Sequence, residues 1–466
     1  MSVPTLRTKL NIHIIIAATI AAVAGILFGF DTGVISGAIL FIKTQFNLSD
    51  SMRELVVSSV LVGALIGSFI SGKFTDVFGR RNLLVITSLI FIIGTLGCAL
   101  TPSIPILIAS RFVVGLAIGI ASFTAPLYIS EISPQQYRGM LVSLNQLAVT
   151  LGILIAYLVD MGFADTADNW RWMFGFGIIP STILFLGMLM LPRSPRWLVL
   201  KGLNAEAKKT LQKIRGIFYN NHELTEIEQS VGKKTHWTML FKRWLLPAIS
   251  IGLALGFLQQ FTGINTIIYY APTILQMTGI KSNTAAIVNS IGIGVVNVLF
   301  TIIALPLIDR WGRRPLLVTG MAIMLISLCL MALSFTYAHG AHYLSWFALA
   351  SMILFIAGFA ISLGPIMWLM FSEIFPLEIR GIATSMMASA NWLFNFIVAE
   401  TFLSLVSTLG QSKTFMLYAI IDFLGIIFVL FKVPETKGTS LEQIEANLRK
   451  GVRSRDLGIP AKQRHR

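Results

Sequence analysis

The chain has 466 residues, of which 12% are charged and 55% hydrophobic. A soluble protein of this length splits into two or three domains and carries about 25% charged residues. This composition therefore excludes an ordinary soluble enzyme and describes a chain whose solvent is largely lipid. The formal net charge of +15 has to be read by position before it is assigned to nucleic acid.

The first apolar stretch, 12–42, is far longer than the roughly 7–15 apolar residues of a cleavable leader. It reads as a spanning helix that stays in the protein. A span needs about 20 mostly apolar residues, and twelve such segments follow one another: 12–40, 55–75, 83–101, 104–127, 140–162, 172–191, 245–276, 285–308, 316–338, 344–371, 381–408 and 414–433. The turns at 101–105 and 338–343 are short. The expected fold class is an all-α membrane protein with 12 transmembrane helices.

Lys and Arg placement orients the spans. With both termini cytoplasmic, the short inner turns hold Lys73, Arg80, Arg81, Arg138, Arg310, Arg313, Arg314 and Arg380. The outer loops hold Lys43, Arg53, Arg171, Lys281 and Lys413. Most other bases, Arg7 and Lys9 among them, lie in the N-terminus, in 192–244 and in the tail, all on the inner side. The excess then faces an anionic inner leaflet of a bacterial inner membrane, and no nucleic acid is needed to explain it.

The polar segment 192–244 separates six spans from six. Within it, Asn204–Arg215 reads as a surface helix capped by Asn204. In the tail, Ser440 can cap a helix through LEQIEANLRK, and 451–466 reads as disordered. Domain organisation is expected as a six-helix bundle (1–191), a cytoplasmic linker (192–244), a second bundle (245–433) and a tail (434–466). Cys98 and Cys329 lie in apolar runs without a CxxC neighbour and read as small buried hydrophobes. The six histidines are scattered, so no cofactor or metal is expected. Asn47-Leu48-Ser49 is a glycosylation sequon on a short loop where no glycan is expected. There is no G-x-x-x-x-G-K-[ST] loop, which argues against direct ATP coupling.

The two halves repeat each other. GKFTDVFGRR (72–81) after the second span is echoed by LPLIDRWGRR (305–314) after the eighth. EISPQQYRG (131–139) is echoed by EIFPLEIRG (373–381). A duplicated six-helix unit follows, with a binding site at the interface near the bilayer midplane. Gly79 and Gly312 permit tight turns. Asp76 and Asp309 can accept from a neighbouring helix N-terminus, and Arg80, Arg81, Arg313 and Arg314 can pair with acids on neighbouring helices.

Polar side chains inside spans are costly and usually face an interior. In the seventh span Gln259, Gln260 and Asn265 stand close together, followed by Tyr269 and Tyr270. Gly256 and Gly263 can loosen the helix and aim both amide patches at one cavity. Amides that donate and accept, beside aromatic faces, suit the hydroxyls and C–H face of a sugar. The same amides could instead bond helices together. Asp31 in the first span and Arg111 in the fourth are ionisable groups at membrane depth. A carboxyl caught between desolvation and a nearby cation can change protonation as access alternates; a static ion pair is the alternative. Glu400 and Asp422 are further acids in spans with no role assigned.

The D-x-x-G-R-R and E-x-x-P-x-x-x-R-G motifs, each present twice, resemble the major facilitator superfamily. PRSPRWL (192–198), QQFTGIN (259–265), PETKG (434–438), GILFGFDTGVISG (25–37) and NQLAVTLGI (145–153) narrow the resemblance to its sugar porter family. Within that family the chain looks most like bacterial proton-coupled galactose and arabinose symporters. The resemblance covers essentially everything before the tail. It implies the major facilitator fold, two pseudo-symmetric six-helix bundles, and import of a monosaccharide with a proton. It matches Gln259, Gln260, Asn265, Gln146, Asn297, Trp368, Asn391 and Trp392 to sugar-contacting positions and Phe28 and Tyr269 to flanking aromatics. Asp31 would be the proton acceptor and Arg111 its partner. Glu131, Arg138, Glu373 and Arg380, with Asp76, Asp309 and the turn arginines, would form a cytoplasmic charge network joining the halves. Ile153 stands where the family's xylose symporter has a second glutamine, which favours a hexose such as galactose or glucose and leaves arabinose open. A facilitative uniporter, a drug–proton antiporter and a non-transporting sugar receptor are the alternatives. No enzyme chemistry is expected.

Overall fold

The structure is a computed structural model that describes residues 11–216, 221–230, 237–337, 344–376 and 378–459. Arg7, Lys9, the 338–343 turn and the tail end 460–466 lie outside the described residues. Among the described residues there are helices and turns and no strand.

The first six spans are α1 (Ile12–Phe46), α2 (Asp50–Phe78), α3 (Arg80–Leu100), α4 (Ile104–Ile132), α5 (Arg138–Phe163) and the broken pair α6 (Asn169–Gly175) and α7 (Ile178–Met190). Three short helices follow, α8 (Pro195–Leu200), α9 (Asn204–Arg215) and α10 (Asn221–Ser230). The second set comprises α11 (Leu246–Phe261) with α12 (Ile264–Met277), α13 (Asn283–Trp311), α14 (Arg313–Tyr337), α15 (Leu344–Ile361) with α16 (Leu363–Ile374), α17 (Arg380–Leu409) and α18 (Gln411–Lys432). The tail adds α19 (Leu441–Arg449). Twelve helical segments among the described residues are long and apolar enough to cross a membrane, in register with the twelve expected. Ile93, Ile183, Ile326 and Phe423 are each more than half exposed, while Asp31, Glu54, Arg111, Asp160 and Asp422 are buried. Apolar outside and polar inside is the arrangement of a protein in lipid.

Packing repeats in both sets. In the first, α1 lies along α5, α2 along α4 and α3 along α4 and α7; in the second, α14 lies along α18 and α15, and α11 along α17. The sets meet where α2 packs on α17, α5 on α13 and α1 on α12. Small residues permit the closest crossings. A Cβ on Gly29 would stand 1.9 Å from the Val149 carbonyl oxygen, and one on Gly115 would stand 1.9 Å from that of Val60. Ile153 belongs to the same α1–α5 contact, with its backbone against Gly29 and Gly33.

Three expectations need correction. The helix at Asn204 starts with that residue already inside it, after Leu203 and without a side-chain cap, so Asn204 is not the cap. Ser440 does cap α19, accepting from the Gln443 N–H at 3.2 Å. The tail through Ile459 is folded rather than disordered: Asn447 Nδ2 donates to the Leu457 carbonyl at 2.6 Å, Thr439 Oγ1 donates to that of Gly458 at 2.7 Å, and Leu457 is fully buried. Cys98 is buried as expected, whereas Cys329 is only half-buried.

Candidate functional site

The seventh span breaks at Thr262–Gly263, where Gly263 adopts φ +94°, a left-handed conformation that favours glycine. Gly256 stays inside regular helix, so only one of the two glycines makes the break. The break separates Gln259 and Gln260 at the end of α11 from Asn265 at the start of α12. Asn265 Nδ2 donates to Gln260 Oε1 at 2.6 Å, and Gln260 Nε2 donates to Asn391 Oδ1 on α17 at 3.1 Å and to Gln259 Oε1 at 3.2 Å. Asn391 Nδ2 donates to Gln259 Oε1 at 2.9 Å, and Gln259 Nε2 reaches the Leu363 carbonyl at 3.1 Å. That carbonyl lies beside a second break, at Ser362, where the tenth span divides into α15 and α16.

Aromatic walls flank the amides. Phe28 on α1 and Trp392 on α17 stand 5.1 Å apart, tilted by 55°, bridging the two sets of helices. The Trp392 Nε1 is buried and has no hydrogen-bond partner among the described residues. Tyr269 is tied to Asn395, whose Nδ2 donates to the Tyr269 hydroxyl at 3.1 Å. Trp368 on α16 is half-buried, edge-on to Phe371 at 5.7 Å. Gln146 on α5 is half-buried and Asn297 on α13 is buried. Neither side chain makes a hydrogen bond to another described residue. Unspent donors and acceptors of this kind, beside apolar walls, are what a polyhydroxylated ligand requires.

Asp31 and Arg111 do meet. Arg111 Nη1 lies 3.5 Å from Asp31 Oδ1, with both side chains buried. Arg111 is anchored independently: its Nε donates to the Val56 carbonyl at 2.7 Å and its Nη2 to that of Val57 at 3.4 Å, both on α2, and Phe174 lies 5.6 Å under the guanidinium. A small cavity lined by Asp31, Thr95, Cys98, Phe174 and Gly177 adjoins the pair.

The turn motifs build two matching clamps. Arg80 pairs with Asp76 at 3.1 Å and Glu131 at 3.0 Å; Arg313 pairs with Asp309 at 3.4 Å and Glu373 at 2.8 Å. Arg81 donates to the Met188 and Leu189 carbonyls, and Arg314 to that of Leu430. Ser194 of the PRSPRWL stretch donates to Glu131, and Thr436 of PETKG donates to Glu373. Trp197 Nε1 donates to the Asp76 carbonyl at 3.1 Å, and Glu435 accepts from the N–H groups of Arg313 and Arg314 at 3.1 and 3.0 Å. Two expectations change here. Asp76 and Asp309 accept from arginine side chains, and Glu435 takes the helix N-terminus instead of Asp309. The ion pairs among described residues close within each half rather than joining the halves, and Arg138 and Arg380 donate to the carbonyls of Ser130 and Phe375.

Bonds between halves include three at the start of α2 and two from α5 and its following loop. Arg53 Nη2 donates to Thr273 Oγ1 at 3.3 Å, Ser404 donates to Glu54, Ser58 donates to Glu400, the Tyr157 hydroxyl donates to the Ile268 carbonyl at 3.0 Å, and Thr284 donates to Asp165 at 2.9 Å. Sequence reasoning missed Asn395, although it falls one turn beyond Asn391. It also missed Glu54, because the apolar run was taken to open at residue 55, and Ser58, a lone hydroxyl inside that run with no partner visible in the sequence.

The family model described as "Sugar (and other) transporter" matches residues 17–448. The chain belongs to this sugar transporter family. It is 42% identical over 445 residues to the galactose-proton symporter of Escherichia coli strain K12, covering 94% of this chain and 95% of that one. It is 39% identical over 461 residues to the arabinose-proton symporter of the same organism, covering 97% and 96%. Among solved structures, the xylose transporter XylE from E. coli in a partially occluded inward-open conformation superposes with a TM-score of 0.82 at 32% identity, covering 92% of this chain and all of that one. This family member is a multi-pass membrane protein with the major facilitator fold, not an enzyme.

Proposed function

We propose that the chain imports a monosaccharide together with a proton by alternating access. One observation carries the reading: Gln259, Gln260, Asn265 and Asn391 form a single hydrogen-bonded patch beside the Phe28–Trp392 pair. The sugar binds between the bundles, its hydroxyls on these amides and on Gln146 and Asn297, its C–H face on Trp392, with Phe28, Tyr269 and Trp368 around it. Galactose, glucose and arabinose are the candidate substrates, and the names of the relatives support this class. The bundles are 1–191 and 245–433, the linker is 192–244 and the tail 434–466, with both termini cytoplasmic and the α1–α2 loop outside.

Asp31 is the proton site. Protonation removes its attraction for Arg111, which stays held by the Val56 and Val57 carbonyls. A change at Asp31 is thereby transmitted to α2, one of the helices on the seam between bundles. The clamps at Arg80 and Arg313 brace the cytoplasmic end of each half.

The test is Asp31→Asn in the full chain in proteoliposomes. Uphill galactose or arabinose uptake driven by a pH gradient is lost, while exchange of labelled for unlabelled sugar persists. Unchanged accumulation refutes the proton assignment. Accumulation by the parent protein that is insensitive to a protonophore supports facilitated diffusion instead.

A further inference from the structure

The seam between α2 and α17 has an unusual polar pattern near the α1–α2 loop. Glu54 on α2 is 1% exposed and accepts from the Ser404 backbone N–H at 2.7 Å and from its hydroxyl at 2.6 Å. One turn deeper the roles reverse, and Ser58 on α2 donates to Glu400 on α17. The helices run antiparallel, so each presents one acid and one hydroxyl to the other. Glu54, Ser58, Leu61, Leu65 and Ser68 recur at helical spacing on one face. At Ser68 the seam continues as Ser68 Oγ lying 3.2 Å from Ser389 Oγ. One turn further toward the linker side, Ser385 Oγ donates to the Ser68 carbonyl at 3.4 Å, and beyond it no side-chain hydrogen bond among the described residues joins α2 to α17. The nearest cation, Arg53, is engaged by Asp50 at 2.9 Å and by Thr273.

We propose that Glu54–Ser404 and Ser58–Glu400 form a reciprocal latch that holds the outer mouth of the transporter shut and releases as α2 and α17 part. This rests on the alternating-access reading above. A buried acid without a donor is heavily penalised, and the same acid in water is not. Enclosed Glu54 therefore needs its donors while the seam is shut, half-buried Glu400 needs its own to a lesser degree, and both pairs are dispensable once the seam is wet. Carboxylate–hydroxyl bonds are also weaker than a bidentate arginine pair, so the latch can open in every cycle. Glu54, Ser58, Glu400 and Ser404 are positioning residues for transport and touch no substrate.

The experiment uses the full chain in lipid nanodiscs, with Cys98 and Cys329 replaced by Ser and Leu65→Cys as reporter. The rate of modification by a membrane-impermeant thiol reagent is measured without sugar. Ser58→Ala/Ser404→Ala removes both hydroxyl donors, and labelling rises about tenfold or more, as loss of two partly buried hydrogen bonds implies. Glu400→Ala gives a smaller rise. Glu400→Gln keeps an accepting oxygen and labels within about twofold of the parent, so a folded control exists if the double variant does not fold. Equal labelling in the parent, Glu400→Ala and the double variant overturns the latch, as does Glu400→Gln behaving like Glu400→Ala. The readout needs no sugar and no proton gradient, so failure of the transport reading appears in the uptake assay and failure of the latch appears here.

Discussion

Gln260→Glu tests the amide patch with almost no change of shape. Gln260 Nε2 donates to Asn391 Oδ1 at 3.1 Å and Gln259 Oε1 at 3.2 Å, while its Oε1 accepts from Asn265 at 2.6 Å. Glutamate keeps the last contact and turns the first two into oxygens facing oxygens. The neighbours cannot repair this by turning over. Flipping Asn391 forfeits its donation to Gln259 at 2.9 Å, and flipping Gln259 forfeits its bond to the Leu363 carbonyl at 3.1 Å. Each buried polar group left unsatisfied costs about 1–3 kcal/mol. Two such groups give about 2–6 kcal/mol, or about thirtyfold and upward in sugar affinity if the patch must be intact to bind. Isothermal calorimetry on purified protein with galactose and arabinose measures this, with melting temperature as a second readout. Affinity within about twofold of the parent and an unchanged melting temperature would refute the reasoning.

Two further outcomes follow from packing and from the clamps. Gly29→Ala places a Cβ against the Val149 carbonyl oxygen, a backbone atom that cannot swing aside; thermal melting should register about 1–3 kcal/mol of destabilisation, whereas Gly72→Ala, with open space around it, should melt no lower than the parent. Arg313→Lys keeps the charge but loses the forked contact with Glu373 at 2.8 and 3.3 Å; the sugar uptake rate should fall severalfold with sugar affinity unchanged.

The spans were legible because lipid demands about 20 apolar residues in a row, and the twelve helices fall where that demand placed them. The amide patch was legible for the converse reason: Gln259 and Gln260 have no business in an apolar run unless something polar meets them. Asn395 escaped because a single amide in a helix cannot be assigned a partner without knowing which helix it faces; its partner, Tyr269, lies far away in sequence. The breaks at Phe176–Gly177 and Ser362 escaped because hydropathy averages over a kink. Glu54 was lost at a boundary, since a charged residue at the start of an apolar run reads as loop when no facing helix is known to supply a donor. The tail misled differently. Its order comes from Asn447 reaching the carbonyls of Leu457 and Ile459, a tertiary bond that composition does not encode.

The paired clamps bear on how the chain is made. Arg80 and Arg81 find every listener they need among Thr75, Asp76, Glu131, Met188 and Leu189, all synthesised before the linker. The leading six helices can thus close their clamp while the ribosome is still translating the rest, although Glu54 waits for Ser404. Arg313, by contrast, waits for Glu373, and the N–H groups of Arg313 and Arg314 wait for Glu435 near the very end. A chain cut short before Glu435 would leave the N–H groups that open α14 without their acceptor.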